Sequence, residues 1–213
     1  MDQSAKFWDK LAERYAQRPV ADEAAYQKKL AVTRDYLRPD MQVLELGSGT
    51  GSTAISHAPH VKHIHAIDIS AKMLSIARNK ANVNQVKNVT FTQSTIADFG
   101  AFEQTFDAVL GLSILHLLDN KEEVVEKVYG MLKPGGIFVS STVCLGDSML
   151  RFLKCILPIG KFLGLMPMVK VFTAHELEHI LVNAGFQIEY RWNPPGSKSL
   201  FVVAAKPASV VLQ

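Results

Sequence analysis

The sequence predicts a doubly wound α/β fold, and three observations carry that prediction. Val43-Leu44-Glu45-Leu46-Gly47-Ser48-Gly49-Thr50-Gly51 reads as a buried strand that ends in a tight glycine turn and enters a helix. His63-Ile64-His65-Ala66-Ile67-Asp68 reads as a second strand whose terminal acid lies 21 residues after Gly47. Further apolar β runs alternate with helix-period stretches to the end of the chain, the pattern of strands joined by crossover helices.

The glycine turn asks what ligand it serves. Open α/β sheets bind ligands outside the carboxyl ends of their strands, at turns of this kind. The dinucleotide fingerprint is G-x-G-x-x-G, but Gly47, Gly49 and Gly51 are spaced G-x-G-x-G. No Lys-Ser or Lys-Thr follows, so the turn is not a phosphate P-loop, and the spacing disfavours a dehydrogenase. Glu45 stands two residues before the first glycine, where a carboxylate repels a phosphate and attracts a cation. The expected ligand carries positive charge near the turn.

On these residues, Glu45-Leu46-Gly47-Ser48-Gly49-Thr50-Gly51, the chain resembles the class I S-adenosylmethionine-dependent methyltransferases, whose cofactor bears an ammonium and a sulfonium. The resemblance extends over roughly residues 5–206 and implies a seven-stranded, mostly parallel sheet with an antiparallel C-terminal hairpin. It also implies S-adenosylmethionine as cofactor and S-adenosylhomocysteine as product.

Bulk properties narrow the function classes. The chain has 213 residues, 48% of them apolar, enough for one domain with a full core. A net charge of +3, with no basic stripe interleaved with aromatics, does not mark a nucleic-acid binder. Cys144 and Cys155 have neither metal-ligand spacing nor the makings of a disulfide framework, so no metal site is expected. The first residues carry an acid and no apolar run, and no apolar run reaches the length of a membrane span. A cytoplasmic location is the expectation.

Two helices precede the first strand. Phe7, Leu11, Arg14 and Tyr15 fall at helical spacing over residues 4–18, with Asp2 or Ser4 as cap and Pro19 as terminator. A second helix is expected over about 22–37, its Tyr26 assigned to packing. Phe7-Trp8-Asp9 through Ala12 to Tyr15 is similar to the N-terminal segment of small-molecule methyltransferases. That likeness implies Tyr15 and Trp8 over the cofactor's methionine part and methyl group, both in the substrate pocket and Tyr15 a catalytic candidate with His116.

After the glycine turn, a short helix 52–58 is closed by Pro59, and Asp68 ends the second strand. An acid about 20 residues past the first glycine suits two vicinal ribose hydroxyls, because a carboxylate offers acceptors to both. Ser70 is the expected N-cap of a helix over 71–81. The resemblance places Ile69 and Met73 against adenine. Beyond a third strand, 89–93, Thr95 occupies the place where the family carries an acid for the adenine amino group. The Ile96 backbone and Asp98 are the alternatives.

A fourth strand, 106–112, leads into Ser113-Ile114-Leu115-His116-Leu117-Leu118-Asp119. By resemblance Leu112 lies at the transferring methyl and His116 takes the place of a family histidine. Its imidazole reads equally as a base and as a structural hydrogen-bonding group. A helix over 122–132, a Lys133-Pro134-Gly135-Gly136 turn, a fifth strand 137–143, a helix 174–184 capped by Thr173 and Gly185, and strands 186–192 and 200–205 complete the order.

The expected organisation is a helical cap (1–40), a cofactor-binding core (41–148), an insertion (149–172), a last helix with hairpin (173–206) and a tail (207–213). The insertion holds 16 apolar residues among its 24, with four basic and no acidic ones. That composition fits an apolar lid, a peripheral membrane contact or a dimer surface, and the lid is preferred. The functional expectation is methyl transfer to a small, apolar acceptor: a thiol, phenol, carboxylate, quinol or amine. The alternative is a cofactor-binding module without catalysis that associates with a membrane or partner.

Overall fold

A computed structural model describes residues 3–100, 103–144, 146 and 171–208. Helices α1 (Gln3–Ala16) and α2 (Glu23–Asp35) come first. Then follow β1 (Gln42–Leu46), α3 (Ser52–His57), β2 (His63–Asp68), α4 (Ala71–Val83), β3 (Val89–Gln93) and β4 (Phe106–Leu112). The order closes with α5 (Lys121–Met131), β5 (Leu132–Val143), α6 (Ala174–Asn183), β6 (Gln187–Trp192) and β7 (Ser199–Ala205). The seven strands form one sheet in the order β3-β2-β1-β4-β5-β7-β6. β5 with β7 and β6 with β7 run antiparallel, as the C-terminal hairpin requires.

The chain divides into two compact units, Met1–Phe99 and Gly100–Gln213. In the first, β1 pairs in parallel with β2 and β2 with β3, in register Glu45↔Ala66↔Phe91. Val43, Leu44, Leu46, Ile64 and Ile67 are fully buried there. Strands covered on both faces read as continuous apolar runs, and β1 and β2 have that character. Asp22 caps α2 and Ser70 caps α4, each accepting a backbone N–H from the first turn.

In the second unit β4 pairs in parallel with β5, around buried Val109, Leu110, Phe138 and Phe201. Thr173 and Glu176 form a reciprocal capping box at the start of α6. Gly185, just past its end, has φ +99°, a left-handed helix stop.

Several boundaries depart from the expectation. Ser4 lies inside α1, which begins at Gln3, so it is not the cap; Asp2 lies outside the described residues. Pro59 continues the end of α3 as a 3-10 turn, Ala58–His60. Lys133-Pro134-Gly135-Gly136 does not precede the fifth strand but sits inside it. Leu132 pairs with Phe106 and Ile137 with Ala108, so the four residues bulge out of the ladder. Of the segment 149–172, only Val171 and Phe172 are described, so the lid falls outside the described residues. Among the described residues no helix is long and apolar enough to cross a membrane.

Candidate functional site: a glycine-turn cradle

In the first unit, β1 delivers Glu45 and then the glycine turn. Gly47, Gly49 and Gly51 have φ of +64°, +51° and +74°, where an L side chain is strained. Gly51 has a second constraint: a Cβ there would lie 2.8 Å from the Ala77 Cβ and 3.0 Å from the Phe91 ring. A Cβ on Gly49 would meet nothing within 4 Å. Gly51 is thus a packing glycine, while Gly49 borders open space that a ligand can fill.

Asp68 faces this turn from the end of β2. Its Oδ2 accepts the Gly49 N–H at 2.8 Å, and its Oδ1 accepts the Ser70 N–H at 2.8 Å. The Ile69 N–H adds a third backbone bond, and the lone-pair capacity that remains on the carboxylate is open to a ligand hydroxyl. Burial raises the Asp68 pKa against the lowering effect of its backbone bonds, and Asp9 adds to the rise.

Glu45 is 3% exposed. It accepts a bond from the Ala54 N–H, and its Oε2 has no partner. Burial, with Asp68 nearby, pushes its pKa up to about 8. The Ser48 hydroxyl is also buried without a partner. Orphaned buried polar atoms cost stability unless something completes them.

α1 brings aromatics to the same unit. Trp8 meets Phe7 and Tyr15 edge-on, at centroid distances of 5.5 and 6.3 Å. Tyr15 is 50% exposed, yet its hydroxyl is desolvated and feels Tyr26 and Asp68, and all three effects raise its pKa. Tyr26, expected only to pack, also reaches the Thr53 hydroxyl at 3.5 Å.

On the adenine side of the expected site, Met73 is 2% exposed and its N–H bonds to the Ser70 hydroxyl. The half-buried Ile69 has its carbonyl held by Gln93 Nε2. Thr95 and Asp98 share one local motif: the Thr95 hydroxyl donates to Asp98 Oδ2 at 2.7 Å and accepts the Asp98 N–H at 2.9 Å. Ile96 beside them is buried.

Leu112 and His116 belong to the second unit. Leu112 is half-buried at the end of β4. Ser113 follows at φ +60°, with its N–H bonded to the Ser141 carbonyl at 2.7 Å. His116 sits on a 3-10 turn, Leu115–Leu117, anchored by the fully buried Leu115. Its Nδ1 is buried without a partner, and burial depresses its pKa to about 4. At neutral pH it is an uncharged imidazole and a weak base.

Some features escaped the sequence reading. Lys80 Nζ donates to the Thr50 and Ser52 hydroxyls at 3.0 and 3.2 Å, tying α4 to the glycine turn. Asp9 joins α1 to Ser70. His175-Glu176-Leu177-Glu178-His179 on α6 spells the H-E-x-x-H pattern of helical zinc sites. Glu176 there closes the capping box, and among the described residues no group of three His, Cys, Asp or Glu side chains is placed to hold a metal ion.

A sequence profile described as a methyltransferase domain matches residues 37–178, about two thirds of the chain, and the chain belongs to that family, among the class I S-adenosylmethionine-dependent methyltransferases. It is 28% identical over 102 residues to the uncharacterized methyltransferase YcgJ of Bacillus subtilis, covering 48% of this chain and 40% of that one. It is 29% identical over 110 residues to an arsenite methyltransferase of Halobacterium salinarum, covering 50% and 28%. A malonyl-[acyl-carrier protein] O-methyltransferase of Bacillus cereus is 32% identical over 104 residues, covering 48% and 37%. The matched region spans well under half the length of these relatives, and the acceptors in their names differ. The crystal structure of YcgJ superimposes with a TM-score of 0.71 at 16% identity, covering 85% of this chain and 99% of that one, which establishes the likeness of fold.

The residues of the first unit fit the family's cofactor. Gly49 leaves open space at the turn, Asp68 keeps acceptor capacity for ribose hydroxyls, and Glu45 Oε2 is an unpaired buried acceptor for a cationic group.

Proposed function

We propose that this protein transfers a methyl group from S-adenosylmethionine to a small, apolar acceptor, with thiols first among the candidates. The observation that carries the cofactor half is the Asp68 carboxylate, oriented by the Gly49 and Ser70 N–H groups beside a glycine turn with open space. When bound, the cofactor supplies a methyl group that its sulfonium already makes electrophilic.

The chain's residues then bind and orient. Glu45 and the Gly47, Ser48, Gly49 and Gly51 backbone take the methionine portion, and Asp68 takes the ribose. Ile69, Met73, Thr95 and Ile96 frame the adenine. Tyr15 and Trp8 line the approach of the substrate, and Leu112 with His116 serve the acceptor step. Alignment of donor and acceptor is the main contribution of such a site to rate.

His116 supports the choice of acceptor class. A general base works best with a pKa near the operating pH, and His116 lies near 4. Such an imidazole serves poorly to deprotonate an alcohol or an ammonium. A thiol needs no strong base: with a pKa of ~8.5 it loses its proton to solvent, and the thiolate is the nucleophile. The neutral His116 imidazole then donates a ring N–H to the thiolate or fixes its approach.

The test is a panel of small alkyl and aryl thiols, phenols, carboxylates, quinols and amines, assayed for S-adenosylhomocysteine release with the wild type and Asp68→Ala. Turnover of thiols that Asp68→Ala abolishes supports the reading. Turnover of a phenol or amine with every thiol inert sinks the thiol assignment. Absence of any binding of the sulfur cofactors sinks the whole of it.

A further inference from the structure

We propose that Asp9 is a positioning residue that latches α1 onto the ribose side of the cradle, so that cofactor affinity depends on a carboxylate that never touches the cofactor. The inference rests on the reading of Asp68 as the ribose acid.

Of the 14 residues of α1 only Ala5 and Ala12 are fully buried, with Phe7, Trp8 and Leu11 half-buried, so packing on α4 shares the fastening of the helix with its polar contacts. Asp9 falls between Ala5 and Ala12 on the same face, at i+4 from Ala5. Its Oδ1 accepts the Ser70 hydroxyl at 2.6 Å and the Lys72 N–H at 3.1 Å. The carboxylate therefore sits at the start of α4, where the helix dipole and unpaired N–H groups favour an anion. These bonds also hold the Asp9 pKa below its ordinary value.

Ser70 makes the connection to the site. Its hydroxyl proton goes to Asp9, while its oxygen accepts the Met73 N–H at 3.1 Å as the N-cap of α4. Its own N–H goes to Asp68 Oδ1 at 2.8 Å. One residue therefore ties the acid that holds α1 to the acid that faces the ribose site. The same helix carries Trp8 and Tyr15, and the Tyr15 hydroxyl lies within electrostatic reach of Asp68. Releasing Asp9 loosens the hold on these aromatics while leaving Asp68 and the glycine turn in place. A latch of this kind orders the approach to the site without taking part in binding chemistry.

The experiment uses the full chain with Asp9→Ala, Asp9→Asn and Asp68→Ala. Hydrogen exchange of the α1 amides is read without ligand, and S-adenosylhomocysteine binding is read by calorimetry. Asp9→Ala should speed α1 exchange and weaken binding, each by about tenfold or more, as loss of charge-assisted bonds implies. Exchange in β1 and β2 should stay as in the wild type. Asp9→Asn keeps the shape and one acceptor but loses the charge, so it should fall between the two. It also serves if Asp9→Ala fails to fold.

Unchanged α1 exchange in both variants overturns the latch. Faster α1 exchange with wild-type affinity overturns its link to the cofactor. If Asp68→Ala binds as the wild type does, the reading of Asp68 fails instead, and the exchange result still decides whether Asp9 holds α1.

Discussion

Gly49 gives its backbone N–H to Asp68 Oδ2 at 2.8 Å, so the glycine turn after β1 and the acid at the end of β2 are locked to each other within the first unit. The bond fixes the carboxylate's rotamer before any ligand arrives. Asp68→Asn should therefore do more than remove a charge: its amide can place an N–H against a backbone donor. We expect S-adenosylhomocysteine affinity to fall by roughly 10–100-fold, the range for losing hydrogen bonds to a charged group. The thermal shift induced by that ligand should shrink in parallel. A variant that keeps wild-type affinity would remove Asp68 from the site.

Glu45 links binding to protons. With a pKa of about 8 in the free chain, it is mostly protonated at neutral pH. A cation bound at the turn favours its ionised form and draws the pKa down. Binding of S-adenosylmethionine near pH 7 should then release roughly one proton. Calorimetry in buffers of different ionisation enthalpy measures that number directly, and Glu45→Gln should bring it close to zero.

The same groups shape stability without ligand. Glu45 has a folded pKa of about 8 against an ordinary 4.5. Its contribution is therefore full below 4.5 and lost as pH rises toward 8. His57 and His116 have the opposite sign. Burial is the first cause of depression in each, and both fall to about 4 from an ordinary 6.5. Their contributions are full above 6.5 and lost as pH falls toward 4. Two histidines outweigh one glutamate on the acid side, so these three groups place the stability maximum near pH 6.5. Urea midpoints at about pH 5, 6.5 and 8 should show the dome, and Glu45→Gln should flatten its alkaline arm and steepen its acid arm.

Features carried by neighbours in sequence were legible before the structure. The β1–turn–α3 run, Asp68, and the Ser70 and Thr173 caps each depend on a few consecutive residues. Features set by distant partners were not. Asp9 looks like any polar position on an amphipathic helix until Ser70, 61 residues away, is beside it. Lys80 looks like a solvated helix charge until Thr50 and Ser52 receive it. Thr95 and Asp98 are only three residues apart, but a hydroxyl bonding both a side chain and a backbone N–H is a matter of loop angles. The Lys133–Gly136 bulge was misplaced because a Pro-Gly-Gly run marks a break in a ladder without saying whether the strand resumes on both sides.

Gly49 and Gly51 should separate folding from binding. At Gly51 an added Cβ collides with Ala77 and Phe91 while the backbone sits at φ +74°. Left-handed strain and overpacking together predict that Gly51→Ala loses about 2–5 kcal/mol of stability. At Gly49 the added methyl meets nothing within 4 Å, and only the φ of +51° opposes it. Gly49→Ala should cost about 1–2 kcal/mol, the usual scale of left-handed strain for an alanine. Its methyl group nevertheless stands in the space proposed for the cofactor, so affinity for S-adenosylhomocysteine should drop far more than stability does. Chemical denaturation and calorimetric titration of both variants read the two quantities separately. Gly49→Ala with near-normal stability and lost binding puts the ligand against the turn. Equal, small effects on both quantities would mean that the open space at Gly49 serves no ligand.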